Sequence, residues 1–320
     1  MASSPVPLNR SPRRQRGAAL LTAMIIVTLV ATLAAAMVWQ QWRAVQVEAA
    51  ERARTQSAWT LSAALDIARL YLREDQKNLA RSGTTALTEP WATPLQESKL
   101  STLLGVEATS TEDSAEAFLS GNITDAQGRY NLRNLITVVA KGQPDDELLA
   151  FGRLCETLGL DGSVAPRIAT GLRSAAGATA AAPLWPETVP QLSWLGIDPS
   201  SIQALLPYVV MLPKTTPLNV NTASKEVLGA VIGDAVNADQ LVKIAMRTPF
   251  KNVAALQAQV PGLTLRTAAL DVKSSFFDVR GRIRLDDHVL IERSLVERLP
   301  NLTSKVWRRE RIASLEQLGS

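Results

Sequence analysis

The sequence predicts an α+β fold: a long N-terminal helix packed on an antiparallel sheet, with a large all-helical domain inserted into the chain path. Three observations carry this. An uncharged run from Ala18 to Trp39 passes straight into an amphipathic helical pattern. Residues 136–265 keep a mostly helical period. From Lys273 onward the period shortens to two, the mark of strands. At 320 residues and 46% hydrophobic content, the chain is long and apolar enough to bury a real core.

The N-terminal helix begins at an abrupt border. Residues 1–17 hold Arg10, Arg13, Arg14 and Arg16 and no acid; Gly17 ends this basic leader. The 22 residues from Ala18 to Trp39 carry no charge. As a helix they cover about 33 Å, the hydrocarbon thickness of a bilayer. Trp39 and Trp42 stand where an interfacial anchor belongs, and the arginines hold the N-terminus in the cytoplasm. A secretory signal cleaved after Ala36 is the rival reading. Against it, the apolar run continues through Met37, Val38 and Trp39 with no polar break.

Leu61, Leu65, Ala68 and Leu72 then recur on one helical face, while Glu48, Glu51, Arg52, Asp66 and Arg73 lie elsewhere on the wheel. No proline or glycine interrupts Ala18 to Ala80. The pattern predicts one helix of about 60 residues, roughly 90 Å long; two helices with a membrane-edge hinge are the alternative.

Charge excludes a function class. The chain has 34 basic and 30 acidic residues, and without the leader's four arginines the balance is 30 against 30. The net positive charge is a property of the N-terminus and is no footprint for nucleic acid.

Beyond the helix, residues 82–94 read as a loop. Residues 122–135 alternate on either side of Gln127-Gly128 and predict a hairpin. Segments 186–196 and 249–262 each hold a proline, a polar gap, a short apolar core and a glycine stop, and suggest a duplicated helical unit. In the stretch Pro217 to Leu228 (PLNVNTASKEVL), Thr222 or Ser224 can cap a helix whose first turn carries Glu226. With RTPFKNV at 247–253 it resembles a helix-hairpin-helix module of the kind that binds DNA. Such modules bring glycine N–H groups against phosphate, but the hairpin position here holds Gly233-Asp234-Ala235, and Asp234 would repel it. Residues 217–262 hold four basic and three acidic side chains, too few for counterion-driven binding.

From Lys273 the chain predicts a three-stranded meander. Phe277, Val279, Ile283 and Leu285 share one face, with Arg282 and Arg284 on the other. Asp286-Asp287 turn into a second strand, and residues 305–310 form the last.

No nucleotide-binding loop, zinc-ligand pair or nucleophile elbow is present. Cys155 is the lone cysteine, in an apolar context that reads as core, and no internal disulfide can form. Asp286, Asp287 and the lone histidine, His288, read as a solvent-facing turn. Asp125 with Gly128, or Asp145 and Asp146 with Glu147, offer oxygen ligands for calcium, without the spacing of an EF-hand loop.

The leader ending in glycine, the apolar helix directly after it and its amphipathic continuation resemble a type IV pilin-like protein. The segment Asp125 to Leu135 (DAQGRYNLRNL) resembles one in the K-type minor pseudopilins of type II secretion, with Arg133 where asparagine is usual. LNVNTA at 218–223 and the strand segment from residue 273 resemble that family too.

The resemblance implies a pilin-like fold with an inserted helical domain of SAM-like or helix-hairpin-helix type. It implies cleavage by a prepilin peptidase between Gly17 and Ala18, with methylation of the new N-terminus. Thr22 occupies the fifth mature position, where most relatives carry glutamate. A carboxylate in hydrocarbon costs about 3 kcal/mol unless paired; a threonine bonds its own helix.

Also implied are an inner-membrane location with the bulk in the periplasm and a place at the pseudopilus tip. The implied partners are the I- and J-type minor pseudopilins, the major pseudopilin, the assembly platform, and secretin or exoprotein. Some K-type pseudopilins bind calcium. The expected organisation is leader 1–17, transmembrane segment 18–39, helix and first β part 40–135, inserted helical domain 136–265, returning strands 266–310 and tail 311–320. The rival classes are a membrane-tethered DNA receptor and a secreted enzyme, for which no catalytic set is visible.

Overall fold

The computed structural model describes residues 16–100, 102, 117–137, 144–177, 182–285 and 288–312. It divides into two compact units, residues 1–58 and 59–320.

In the first unit the described residues are one continuous helix, part of α1 (Arg16–Ser82). No hinge interrupts it at the membrane edge. Thr28 donates to Ile25 O and Thr32 to Leu29 O, both at 2.9 Å, and Thr22 donates to Ala18 O. Every hydroxyl in the apolar run is thereby satisfied inside its own helix, as hydrocarbon requires. Mean hydropathy over an 18-residue window of this helix reaches 2.4, and among the described residues it is the one helix long and apolar enough to cross a membrane. Beyond it, Arg52 pairs with Glu48 at 2.5 Å, an i,i+4 bridge on a solvated helix.

In the second unit α1 turns amphipathic, then stops at Gly83, whose φ of +76° is open to glycine and strained for other residues. The face read from the sequence is the buried one. Leu61, Leu65, Ala68 and Leu72 are all buried, the last three packing with Trp91, Phe277, Val279 and Val296. Trp91 meets Phe277 edge-on at 5.2 Å.

The sheet has five antiparallel strands. β1 (Leu95–Lys99) and β2 (Ala117–Asp125) precede the helical domain. After β2 come β3 (Tyr130–Asn131), α2 (Asp146–Thr157), α3 (Val164–Ala176), α4 (Pro199–Leu205), β4 (Val209–Val210) and β5 (Leu218–Asn219). Then follow α5 (Lys225–Ile232), α6 (Ala235–Arg247), α7 (Val253–Gln257) and β6 (Leu270–Asp271). β7 (Phe276–Leu285), β8 (His288–Arg298) and β9 (Ser304–Ile312) complete the sheet, in the order β1-β2-β7-β8-β9. β7, β8 and β9 form the meander expected from their alternation. The addition of β1 and β2 corrects the count from three to five. β2 finds its partner far along the chain, Asp125 opposite Phe277, a pairing no local pattern encodes.

That register explains the insertion. The chain leaves the sheet after Asp125 and re-enters at Phe276, which are neighbours across a strand pair. The expected hairpin at 122–135 is therefore corrected. Residues 126–128 make a 3-10 turn, and β3 pairs in parallel with β4 inside the helical domain. Asp125 caps the turn by accepting from Gln127 N at 2.8 Å, which bends the chain out of the sheet.

The helical domain has its own core, in which Leu135, Phe151, Leu154, Ile168, Leu172, Leu192, Leu228 and Leu256 are fully enclosed. Cys155 is buried there, and burial pushes its thiol up to about 12. The two look-alike segments differ in structure. Val189–Leu195 is a 3-10 helix under a Thr188–Gln191 capping box, whereas Val253–Gln257 is an α-helix capped by Asn252. Similar spacing of proline and glycine did not produce one repeated unit.

Candidate functional site

The motif residues meet at the junction between sheet and helical domain. Asp125 is its centre. Its Oδ2 accepts from Ser274 Oγ at 2.5 Å, Thr222 Oγ1 at 2.6 Å and Asn219 Nδ2 at 2.8 Å. Burial raises its pKa, while these donors and Gln127 N oppose that shift. Asn219 is fully enclosed, and its Oδ1 accepts from Asn221 N at 3.0 Å. Asn221 exchanges two bonds with Phe250, donating to its carbonyl at 3.0 Å and accepting from its N–H at 2.8 Å. The LNVNTA stretch thus serves as a set of buried amide and hydroxyl clamps. The RTPFKNV stretch lies beside it because Asn221 holds it there.

The DAQGRYNLRNL segment has the same use. Gln127 Oε1 accepts from Ser275 N at 2.6 Å and from Phe276 N at 3.2 Å. At Gly128 a Cβ would lie 2.8 Å from the Thr222 carbonyl oxygen, so only glycine allows this approach. Asn131 Nδ2 donates to Lys214 O at 2.7 Å, and Asn134 exchanges two bonds with Thr216. Arg133, which departs from the resembling family's pattern, lays its guanidinium 4.8 Å from the Trp185 ring centre.

Ion pairs reinforce the joint. Asp278 accepts from Arg129 and, at 2.6 Å, from Arg293. Burial raises its pKa, but the two guanidiniums outweigh that and hold it below the usual carboxylate range. Arg298, 3% exposed, pairs with Asp75 of α1 and donates to Thr85 Oγ1 at 3.0 Å and Ser274 O at 2.7 Å. Sequence reading missed this pair, since nothing local marks two charges 223 positions apart as partners.

The calcium candidates stand apart in role. Asp125 already takes four protein donors, whose hydrogens occupy the directions a cation would need. Asp145 caps α2 through Leu148 N at 3.1 Å and pairs with Arg173. Asp146 faces Arg266 at 3.6 Å. Among the described residues no group of three His, Cys, Asp or Glu converges. Calcium takes six or more oxygen ligands, so these residues do not fit the ion as arranged.

The helix-hairpin-helix likeness is real in backbone and different in chemistry. Gly233, with φ +78°, closes α5 after Ile232, and α6 starts at Ala235 under the cap of Asp234. Asp234 accepts from Asn237 N at 2.9 Å, and that bond lowers its pKa. A carboxylate stands where a phosphate-binding hairpin presents free N–H groups, which disfavours the DNA-receptor reading. Asp286 and Asp287 lie outside the described residues, as do residues 1–15 of the leader. Gly17 and Ala18 fall in the first turn of α1.

Comparison with known proteins follows the same motifs. Residues 218–279, from the LNVNTA clamps to β7, match the family model described as type II secretion system (T2SS), protein K. The chain is 28% identical to type II secretion system protein K of Pseudomonas aeruginosa, over 89% of this chain and 90% of that protein. It is 29% identical to the protein of the same name from Klebsiella pneumoniae, over 92% of this chain and 96% of that one. Its fold matches a chain in the crystal structure of the GspK-GspI-GspJ complex from the enterotoxigenic Escherichia coli type 2 secretion system. That match has a TM-score of 0.65 at 19% identity, covering 83% of this chain and 99% of that one. The chain that carries the clamps, the helical excursion and the membrane-length helix is thus similar, over about nine-tenths of its length, to proteins named type II secretion system protein K.

Proposed function

We propose that this minor pseudopilin sits at the tip of the type II secretion pseudopilus, where it initiates or caps assembly for protein export across the outer membrane. The observation that carries this is the insertion. The entire excursion between Asp125 and Phe276 is grafted onto the sheet through buried clamps and ion pairs, with no glycine-rich linker at either crossing. Bulk so attached clashes with a subunit stacked above it and leaves the chain able to add neighbours on one side.

Thr22 supports the same reading. Its hydroxyl is satisfied by Ala18 O, so it needs no amine from a neighbouring subunit. The work is mechanical and calls on no catalytic group. Until assembly, α1 is stored in the inner membrane with its N-terminus in the cytoplasm and the domain from Trp59 onward in the periplasm. A prepilin peptidase cuts between Gly17 and Ala18 and methylates the new amine. The partners are the I- and J-type minor pseudopilins, as in the complex named for the structural neighbour, then the major pseudopilin and the assembly platform. Secretin or exoprotein is the contact of the outer end.

The test is co-expression of the full chain with the I- and J-type pseudopilins of its own system, followed by affinity purification through one partner. Recovery of a three-component complex is expected, with loss of secretion when this chain is deleted. Failure to associate, or secretion that continues unchanged, overturns the reading.

A further inference from the structure

Strand β7 presents a row of arginines on the face of the sheet turned away from α1. Gly281 fixes which face is which, because a Cβ there would meet Leu61 of α1 at 3.2 Å. Arg280, Arg282 and Arg284 alternate to the other side. Arg284 sets its guanidinium carbon over the Phe118 ring on β2, 4.1 Å from the ring centre. Arg293 of β8 stands directly opposite Arg280 in the pairing register. Like charges directly opposite destabilise a strand pair.

Carboxylates on this face are each already engaged: Glu310, opposite Arg293, pairs with Arg308 at 2.5 Å, and Glu297 takes Lys214 at 2.6 Å. Glu97 alone serves both Arg282, at 3.3 Å, and Arg284, at 2.8 Å, and all three are 33–39% exposed. Asp278 is spent on Arg293 and Arg129. Among the described residues Arg280 has no acidic partner, and beside it on β2 stands the half-buried amide of Asn122. A row of three arginines is thus served by one carboxylate, Glu97.

We infer that this arginine row on β7 is a docking surface for an extended acidic segment of a partner protein. Alternate residues on a strand lie about 6.7 Å apart. Carboxylates at alternate positions of an extended chain have that same repeat and meet Arg280, Arg282 and Arg284 in turn. The row is all arginine, whose planar fork suits carboxylate pairs. An anionic membrane surface fits less well, since among the described residues no exposed large apolar side chain lies on β2 or β7. The row is present whatever assembly the chain joins, so peptide binding and subunit assembly fail independently.

The test uses the full chain in neutral detergent micelles. The probe is a fluorescein-labelled peptide with four glutamates alternating with threonines, followed by anisotropy at low salt. Binding is expected, weakened about tenfold in Arg280→Ala, the loss of one charge-assisted pair. Arg280 has no acidic partner to strand, and an unchanged melting temperature verifies that the variant folds. Glu97→Gln frees two guanidiniums and is expected to tighten binding. Three results would overturn the docking surface: both variants binding like the parent, equal binding of a peptide whose four glutamates are consecutive, or displacement by short-chain phosphatidylglycerol at the same concentration as by unlabelled peptide.

Discussion

At the scale of single residues, Asp125 and Glu89 are both acids whose pKa burial raises, and they differ in how many donors they hold. Asp125→Ala strands two hydroxyls, one side-chain amide and one backbone N–H in a buried site. The expected loss is about 3 kcal/mol, read from urea denaturation followed by circular dichroism. Glu89 accepts from Trp91 Nε1 at 2.6 Å, and burial, with Asp75 nearby, pushes its pKa up to about 7. A carboxyl whose folded pKa lies above its unfolded value holds its proton better when folded. Stability therefore falls as pH rises from about 4.5, the ordinary glutamate value, through about 7. The melting temperature is expected to be higher at pH 6 than at pH 8, and Glu89→Gln is expected to remove most of that slope. Asp278, held low by Arg129 and Arg293, acts in a separate window below pH 4. The acids of the motif were visible as residues, but their roles were not. Asp125 was read as a calcium ligand because its hydrogen-bond donors, Asn219, Thr222 and Ser274, arrive from two distant segments.

At the scale of elements, α1 and the strands β7 to β9 were legible because their periods are local. A 3.6 repeat names the buried face of a helix, and a repeat of two names the inner face of a strand. The crossing of α1 over the sheet was not legible. It rests on two glycines, Gly121 and Gly281, paired with each other across β2 and β7. Gly281 admits Leu61 of α1, while a Cβ on Gly121 would sit 2.6 Å from the Arg280 carbonyl oxygen. Gly281→Val is expected to destabilise by about 2 kcal/mol through overpacking. Gly152→Ala, in open space on helix α2, is the control expected to do no harm. Thermal melts of both variants check this. The hairpin expected at Gln127-Gly128 failed for a related reason. Alternation on both sides of a turn resembles a hairpin, yet the second arm pairs with β4 because Asn131 and Asn134 bind the chain at 214–216.

At the scale of the whole molecule, the fold from Trp59 onward is a helical domain spliced into one strand pair. Arg298 ties three parts of it together: α1 through Asp75, the loop after α1 through Thr85, and the clamp region through Ser274. Burial pushes Asp75 up and Arg298 down, each against the attraction of the other, so neither charge is comfortable alone. Arg298→Ala is expected to cost about 3–5 kcal/mol because it leaves Asp75 buried and unpaired. Asp75→Asn with Arg298→Met together are expected to cost less than Arg298→Ala alone, a comparison that denaturant melts can make. At the other end of the chain, Gly17→Trp is expected to leave the leader attached. Intact-mass measurement reads this directly, since the parent chain is expected to begin at Ala18.

The sequence alone determined that there is a membrane-length helix with a basic leader, that its continuation is amphipathic, and that the chain ends in a meander. Each of these is encoded in the spacing of neighbouring residues along a few turns or strands. Only the tertiary structure decided that β2 pairs with β7 and that the helical domain is locked by Asp125, Asn219 and Arg298. It alone decided that the arginines of β7 share one sheet face and that Glu97 is the carboxylate brought to two of them. Those arrangements depend on residues that meet only after about 150 positions of chain have folded between them, and no local period carries that information.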